Sequence, residues 1–244
     1  MKSNSSIPWI EQEYENHVFD FEKIKSVSSD IPIAASCYLN SKMLLNAYRN
    51  GVFPWSGPYQ PILWWRPEPR MTLDPTKVRV SKSLKKYIKR YLKNGLSISS
   101  NRCFRTVILA CAETRERSSG TWITNDIISA YMELNKMGYA HSIEVWLEKE
   151  LVGGLYLVSI GKMIFGESMF FRKANTSKIA LITLSKWLQN HGGLLIDCQQ
   201  ETAHLASMGA APTSNKIFMD QMKIMIENPP LPWFEEPISE ELLT

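Results

Sequence analysis

The order of hydrophobic periods along the chain is the feature that most restricts how it can fold. Residues 141–171, HSIEVWLEKELVGGLYLVSIGKMIFGESMFF, hold short β-rich runs separated by EKE and SIGK, which predicts three antiparallel strands in a meander. Residues 175–193 have the periodicity of a helix with a cap at each end. The apolar run LLIDCQ, residues 194–199, follows as a short buried strand that can lie parallel to a neighbour. This order predicts an α+β fold.

Helices are also predicted ahead of the meander. Three segments have a helical pattern, and each is followed by a glycine that ends it. They cover residues 39–50, residues 81–94 with Ser81 as a plausible N-cap, and about residues 125–137. The order of helices, antiparallel meander, helix and strand resembles the acetyltransferase-like GNAT architecture, so we expect a GNAT-like domain.

The first part of the chain has a different composition. GVFPWSGPYQPILWWRPEPR, residues 51–70, contains five prolines and three tryptophans, which excludes a helix and is too aromatic for a linker. We expect a small N-terminal domain over residues 1–72 and a GNAT-like C-terminal domain over residues 73–244. The tail after Met225 is expected to be extended and to lie on the surface.

Composition and cysteine usage narrow the class of protein. The 244 residues are 44% hydrophobic and 21% charged, and no apolar run approaches the ~20 residues of a membrane-spanning helix. The first 20 residues carry acids and lack an apolar core, unlike a secretory signal. The four cysteines form no C-x-x-C pair and are not grouped with histidines, so we expect reduced thiols, a cytoplasmic protein and no metal site.

Basic charge is concentrated in one segment. Residues 75–112 contain ten lysines and arginines and no acid, so this segment carries +10 while the net charge of the whole chain is +4. Such polarity suggests an anionic partner. Within the predicted helix 81–94 the basic face of residues 82–93 either contacts phosphates or is an ordinary solvated face, and we favour phosphates. Its cations are Lys82, Lys85, Lys86, Lys89 and Arg90.

Two acids lie within apolar runs. Asp197 ends the strand LLIDCQ, and a desolvated carboxylate without a partner is costly, so Asp197 either has a strong partner or belongs to a site. If the strand stays regular, Asp197 and Gln199 point to the same face, where they can hold an attacking amine; alternatively Asp197 caps the next turn. Glu167 in GESMF is expected to have a raised pKa unless it is paired. It either recognises a substrate ammonium group or faces solvent.

Other candidates have equally ordinary alternatives. Leu181, Leu184 and Leu188 form a stripe along the predicted helix that is typical of plain core. Trp55 and Trp122 can stack a nucleotide base, although most tryptophans are structural. The segment RSSGTW resembles an acetyl-CoA phosphate loop, but bulky Trp122 stands where backbone amides must approach the phosphates, which argues against acyl-CoA.

A resemblance to a known family covers most of the chain. GVFPW, PILWWRPEPR, GTWIT, GYAHSIEVW, LVGGLY, GESMF and LLIDCQ occur in order, from about Leu44 to Gly209. They resemble the leucyl/phenylalanyl-tRNA protein transferase family. The resemblance implies transfer of leucine or phenylalanine from Leu-tRNA or Phe-tRNA to proteins with an N-terminal Arg or Lys, which marks them for degradation. It implies a GNAT-like domain without acetyl-CoA, and we expect a monomer with no cofactor and no membrane partner.

The resemblance also implies roles for individual residues. Asp197 and Gln199 are expected to be the catalytic pair that orients the acceptor amine, with the identity of the base left open. Glu167 and Met169 are expected near the amino group and side chain of the aminoacyl group. The apolar end of the pocket would be lined by Leu155, Leu181, Leu184, Leu188 and Ile196. Trp55 and Trp122 would hold the terminal adenosine, and the basic helix would contact the acceptor stem.

Several positions depart from the family pattern. A Gly-Gly-Asp stretch usual before the first helix is absent from IPIAASCYLN, residues 31–40. Phe171, Thr176 and Asn135 replace a small residue, an alanine and a histidine. Pocket positions often occupied by Met or Phe are leucines here, at 155, 184 and 188, which predicts a wider aliphatic pocket with a modestly altered Leu:Phe preference.

Two rival functions remain open. An ordinary N-acetyltransferase on the same fold would bind acetyl-CoA. A tRNA-binding protein with lost or altered acceptor activity would bind tRNA with a strong salt dependence and tolerate the loss of Asp197.

Overall fold

The computed structural model describes residues 7–11, 19–24, 31–57, 59–119, 121–233, 237–238 and 243. Within these ranges the α-helices are α1 Ser41–Arg49, α2 Lys82–Lys93, α3 Phe104–Ser119, α4 Asn125–Lys136, α5 Thr176–His191, α6 Ala203–Ser207 and α7 Asn215–Ile226. The three helices predicted ahead of the meander are confirmed as α1, α2 and α4. Helix α3 was not predicted.

A small sheet lies in the N-terminal part of the chain. Its strands are β1 Trp9–Ile10, β2 Ala34–Ser36, β3 Phe53–Pro54 and β4 Ile62–Trp65, in the order β1-β2-β4-β3. The Trp64 ring is fully buried, and its Nε1 donates to Ser36 Oγ at 3.0 Å. The predicted small N-terminal domain therefore contains a sheet of its own.

The large sheet has eight strands among the described residues. They are β5 Arg70–Leu73, β6 Leu96–Ser100, β7 Ala140–Leu147, β8 Glu150–Ile160, β9 Met163–Phe171, β10 Ile196–Gln199, β11 Ala211–Thr213 and β12 Pro237–Ile238, in the order β11-β5-β10-β9-β8-β7-β6-β12. The antiparallel β7-β8-β9 meander and a β10 parallel to β9 are confirmed. The α+β fold with a small N-terminal unit is thus confirmed. Strand β5 spans residue 72, where the boundary between the two domains was predicted. The position of that domain boundary stays a prediction.

Local capping explains most helix ends. Ser81 Oγ accepts the N–H of Leu84 at 3.2 Å, which satisfies an otherwise unpaired donor at the start of α2. The prediction of caps at both ends of α5 is half wrong. Gly192 ends the helix at φ 75°, but Asn175 precedes it at φ 68° without a capping hydrogen bond, because a side-chain cap requires extended backbone there.

Two hydrophobic cores cover the two faces of the large sheet. The first core combines α3 and α4 with residues of the small sheet and α1, including Trp64 and Tyr48. The second core lies against α2 and α5. The tail after Met225 is not simply on the surface, because Leu231 is buried in the second core and the Trp233 ring packs on Trp187 at 4.5 Å.

Two further features concern the cysteines and the length and polarity of the helices. Cys37, Cys103, Cys111 and Cys198 are all free thiols. In the part of the chain that the structure describes, the helices are too short or too polar to cross a membrane.

Candidate active site between β9 and β10

The middle of β9 is partly exposed although it is the fourth of eight strands. Strand β10 pairs with β9 only at Ile196 and Asp197, whereas β9 continues to Phe171. Two register shifts border the end of this pairing, one where β9 passes β8 and one in β10 after Asp197. We call the resulting opening the notch, and it is bordered by the partly exposed residues Gly166, Glu167, Met169 and Gln199.

Asp197 has a strong partner. Its Oδ1 accepts from Arg70 Nε at 2.7 Å and its Oδ2 from Arg70 Nη2 at 2.6 Å, and both side chains are 0% exposed. The guanidinium of Arg70 also packs over the rings of Phe53 and Phe218, with 4.8 and 4.7 Å to the centroids. This bidentate pairing offsets the cost of burying the carboxylate.

Gln199 is held by the same carboxylate. Its backbone N–H donates to Asp197 Oδ1 at 2.9 Å, so Asp197 also caps this turn, as the alternative interpretation had it. The strand is not regular here, because Gln199 has φ 58°, in the left-handed region that few non-glycine residues adopt. The Gln199 side chain nevertheless reaches the first-core side, where its Nε2 lies 3.5 Å from Glu167 Oε1.

Glu167 is bound by two phenols. Tyr48 of α1 donates to its Oε1 at 2.6 Å, Tyr131 of α4 donates to its Oε2 at 2.8 Å, and the two phenol oxygens lie in contact with each other. Burial raises the pKa of Glu167 to about 7, and the phenol hydrogen bonds limit the rise. The nearby Asp197 charge adds to it, while Arg70 opposes it. The group can therefore change its charge near neutral pH.

The predicted apolar pocket residues lie together on the other side of the sheet. Met169 is partly exposed at the notch and packs against the second core. The remaining five are at most 3% exposed within that core: Leu155, Leu181, Leu184, Leu188 and Ile196. Close packing of the leucine stripe agrees with its plain-core interpretation, and it also puts an apolar wall behind the notch.

The two candidate tryptophans are in different surroundings. Trp55 follows β3, is 43% exposed and meets Trp65 edge-on at 5.7 Å. Trp122 is partly exposed and packs against the first core. It lies two residues before Thr124, the N-cap of α4, and α4 carries Tyr131. Among the described residues no ring contact joins Trp55 to Trp122.

The basic face of α2 is open to solvent. All five predicted cations are exposed, and none of them forms an ion pair within the described part of the chain: Lys82, Lys85, Lys86, Lys89 and Arg90. The Arg90 guanidinium packs over Tyr87 at 4.7 Å, which holds it on the surface. At the start of α2 this face adjoins a groove lined by Arg79 and by Lys178 of α5.

Comparison with protein families identifies the family to which the chain belongs. A family model described as leucyl/phenylalanyl-tRNA protein transferase matches residues 72–223. The chain belongs to the leucyl/phenylalanyl-tRNA protein transferase family. A model of the N-terminal domain of this transferase matches residues 39–68. The resemblance seen in the sequence segments is therefore confirmed.

Curated relatives carry the same name. A leucyl/phenylalanyl-tRNA–protein transferase from Nitrosomonas europaea is 51% identical over 178 residues, covering 73% of this chain and 74% of the relative. One from Paraburkholderia xenovorans is 45% identical over 216 residues, covering 87% and 88%. As a member of the leucyl/phenylalanyl-tRNA protein transferase family, the chain is an aminoacyltransferase that moves an aminoacyl group from tRNA to a protein.

Two solved structures are distant matches. FemX aligns with a TM-score of 0.43 and 14% identity over 75% of this chain and 71% of FemX. A GCN5-related N-acetyltransferase from Kribbella flavida aligns with a TM-score of 0.36 and 9% identity over 70% and 60%. Neither likeness is close enough to inform the site of the transferase.

Three residues of the candidate site were not predicted from the sequence. Tyr48 and Tyr131 lie on helices whose patterns indicate only core, and Arg70 begins the short strand RMTL. Arg70 had one usable signal, since an arginine directly before an apolar β-run is the counterpart that a buried Asp197 requires. The phenols had none, because α1, α4 and β9 converge only in the folded chain.

Proposed function

We propose that this transferase moves leucine or phenylalanine from aminoacyl-tRNA to the α-amine of proteins that begin with Arg or Lys, and so marks them for degradation. The observation that carries the proposal is the notch, where a carboxylate with a pKa near 7 lies 3.5 Å from an amide in front of an apolar wall. An amino acid with a free amine and an apolar side chain suits such surroundings.

The donor is proposed to enter with its aminoacyl group in the notch. Glu167 would bind the amino group, since an ionised carboxylate attracts an ammonium, and Met169 would contact the side chain. Behind Met169 the apolar end would be formed by Leu155, Leu181, Leu184, Leu188 and Ile196. An altered preference between leucine and phenylalanine, predicted from the leucines in this pocket, stays a prediction.

The reaction exchanges an ester for an amide. The acceptor nitrogen attacks the aminoacyl carbonyl carbon, a C–N bond forms, the ester C–O bond breaks, and a ribose hydroxyl of tRNA leaves with the proton that the amine loses. Gln199 is placed to orient the reacting groups, because its amide has both a donor and an acceptor. Asp197 contributes by holding the Gln199 backbone. No electrons are transferred, so the proposal includes no redox cofactor.

The rest of the tRNA is proposed to follow the basic surface. The exposed cations of α2 (Lys82, Lys85, Lys86, Lys89 and Arg90) would contact acceptor-stem phosphates, and the Arg79–Lys178 groove extends this charge. Trp55 and Trp122 would hold the terminal adenosine by stacking. Because tRNA is the donor and all four cysteines are free thiols, we propose a cytoplasmic enzyme, and we propose that it acts as a monomer.

The test is transfer of labelled leucine from Leu-tRNA to a peptide that begins with Arg. A peptide that begins with Asp but is otherwise identical is the acceptor control, and Gln199→Ala is compared with Lys136→Ala, an exposed position at the end of α4. We expect transfer to the Arg peptide only, lost in Gln199→Ala and kept in Lys136→Ala. Binding of tRNA without transfer to any peptide would instead support the tRNA-binding alternative.

A further inference from the structure

Arg70 is a buried charge whose partner lies far away in the sequence. It joins β5 to β10 across 127 residues, its guanidinium is fully buried, and its two bonds to Asp197 occupy Nε and Nη2. The third nitrogen, Nη1, is buried without a hydrogen-bond partner among the described residues. Neither the donor site nor the tRNA surface makes use of this side chain.

Stability alone does not account for such a pair. Taking two charges out of water costs about as much as their attraction returns, and apolar residues of similar volume often stabilise a core as well or better. The rings of Phe53 and Phe218 on the guanidinium show that the surroundings would suit an apolar side chain. A geometric role explains the pair better than an energetic one.

The geometry shows what the pair holds. Asp197 Oδ1 accepts from both Arg70 Nε and the backbone N–H of Gln199, so the arginine and the turn share one oxygen atom. Gln199 has a φ of 58°. This left-handed conformation costs free energy in a residue other than glycine, so it persists only where the surrounding structure fixes it. That conformation directs the Gln199 amide to Glu167.

We propose that Arg70 is a positioning residue for aminoacyl transfer. Through Asp197 it fixes the left-handed turn at Gln199 and thereby the position of the Gln199 amide in the notch. Asp197 acts only in this chain of contacts, because both of its oxygens are occupied and its side chain is 0% exposed. This inference rests on the proposed function, since it concerns the rate of the same transfer.

The first test is Arg70→Lys, which keeps the charge but cannot make the paired bonds to Asp197. Single-turnover transfer and the KM for aminoacyl-tRNA are measured. We expect kcat to fall by roughly 100-fold, as for misplacement of a reacting group, with KM within about threefold of wild type. Ile98→Ala is the control for lost stability, because Ile98 is buried in β6, four strands from β10.

The pH profile separates positioning from proton transfer. If Asp197 were the base that takes the proton, loosening its arginine would change the pH dependence of kcat. The positioning role predicts a lower kcat at every pH and an acid limb at the wild-type pH. A kcat for Arg70→Lys within threefold of wild type, an equal loss in Ile98→Ala, or a shifted limb overturns the proposal.

Asp197→Asn supplies a second test if Arg70→Lys does not fold. Asparagine keeps an oxygen for the Gln199 N–H but cannot accept a proton from the amine. Positioning predicts a loss of about tenfold, whereas removing a general base costs roughly 100-fold to 10,000-fold. A loss in the larger range overturns the proposal. Transfer by the wild-type protein is measured first, because it tests the proposed function. A loss of transfer that occurs only in the variants then tests the role of Arg70.

Discussion

Asp197 and Glu167 lie on neighbouring strands of one sheet, yet their carboxylates have opposite surroundings. Asp197 is fully buried and its oxygens are held by an arginine and a backbone N–H. Glu167 is partly exposed, its partners are neutral phenols, and its pKa is raised to about 7. An arginine compensates the charge of the Asp197 carboxylate, whereas only uncharged phenols and an amide contact that of Glu167. The same sheet therefore contains one carboxylate paired with a cation and one acid that can change its charge near neutral pH.

The largest effect is expected from separating the fixed pair. Asp197→Leu leaves the Arg70 charge buried without a counterion and should lower the free energy of unfolding by about 3–5 kcal/mol. The double variant Arg70→Met/Asp197→Leu removes both charges and should lose less than the single variant. Urea denaturation at pH 7 measures both. A double variant that loses more stability than Asp197→Leu alone would mean that the two side chains do not act as a pair.

The titratable acid predicts a pH-dependent stability. The folded pKa of Glu167, about 7, is above its ordinary value of 4.5, so the folded state binds the proton more tightly. Wild-type stability should then fall as pH rises from about 4.5 to 7. Glu167→Gln should lack this fall. The difference in free energy of unfolding between Glu167→Gln and wild type should therefore be more favourable to the variant at pH 8 than at pH 5, by on the order of 2–3 kcal/mol. Parallel stability curves for the two proteins would show that Glu167 does not titrate in this range.

The phenols should tune that acid by a smaller amount. Tyr131→Phe removes a donor to the ionised form of Glu167, so its pKa should rise by about one unit, equivalent to one hydrogen bond. The acid limb of kcat/KM for transfer should move to higher pH accordingly. Tyr156→Phe is the matched control, because the Tyr156 hydroxyl is buried without a hydrogen-bond partner among the described residues. A limb that moves equally in both variants would contradict direct tuning by Tyr131.

The smallest effect is expected far from both carboxylates. Lys85→Gln should weaken tRNA binding slightly and lower the slope of log K against log salt by about one, since each phosphate contact contributes roughly that much. Lys136→Gln should leave the slope unchanged. Filter binding over a range of salt concentrations measures both. An unchanged slope for Lys85→Gln would make the α2 face an ordinary solvated surface.

Local patterns were sufficient to predict the elements but not their long-range pairing. The meander and α5 follow from residues a few positions apart, as does α2 with its Ser81 cap. Helix α3 was missed because its apolar residues are gathered in its first half, FRTVILACA, and most of its charged residues in the second, so no amphipathic face stands out. The pairing of β10 with β5 is invisible locally, because its partners come from distant parts of the chain.

The same limit applied to the site. Asp197, Gln199 and Glu167 attracted notice because acids within apolar runs are costly, a fact that a single strand reveals. Their environments come from other elements: Arg70 from β5, Tyr48 from α1 and Tyr131 from α4. The sequence therefore indicated which groups to examine, and the fold decided that one acid is paired with an arginine while the other contacts neutral phenols.

The first hydrophobic core has a consequence for how the molecule can be divided. Because Trp64 and Tyr48 are packed into the same core as Tyr131 and Phe165, the small sheet and the large sheet share their interior. A cut between the two would expose apolar surface on both pieces and remove one donor from Glu167. The N-terminal unit is thus no detachable module, and an engineer who exchanges it between relatives must exchange the buried surface of the larger unit with it.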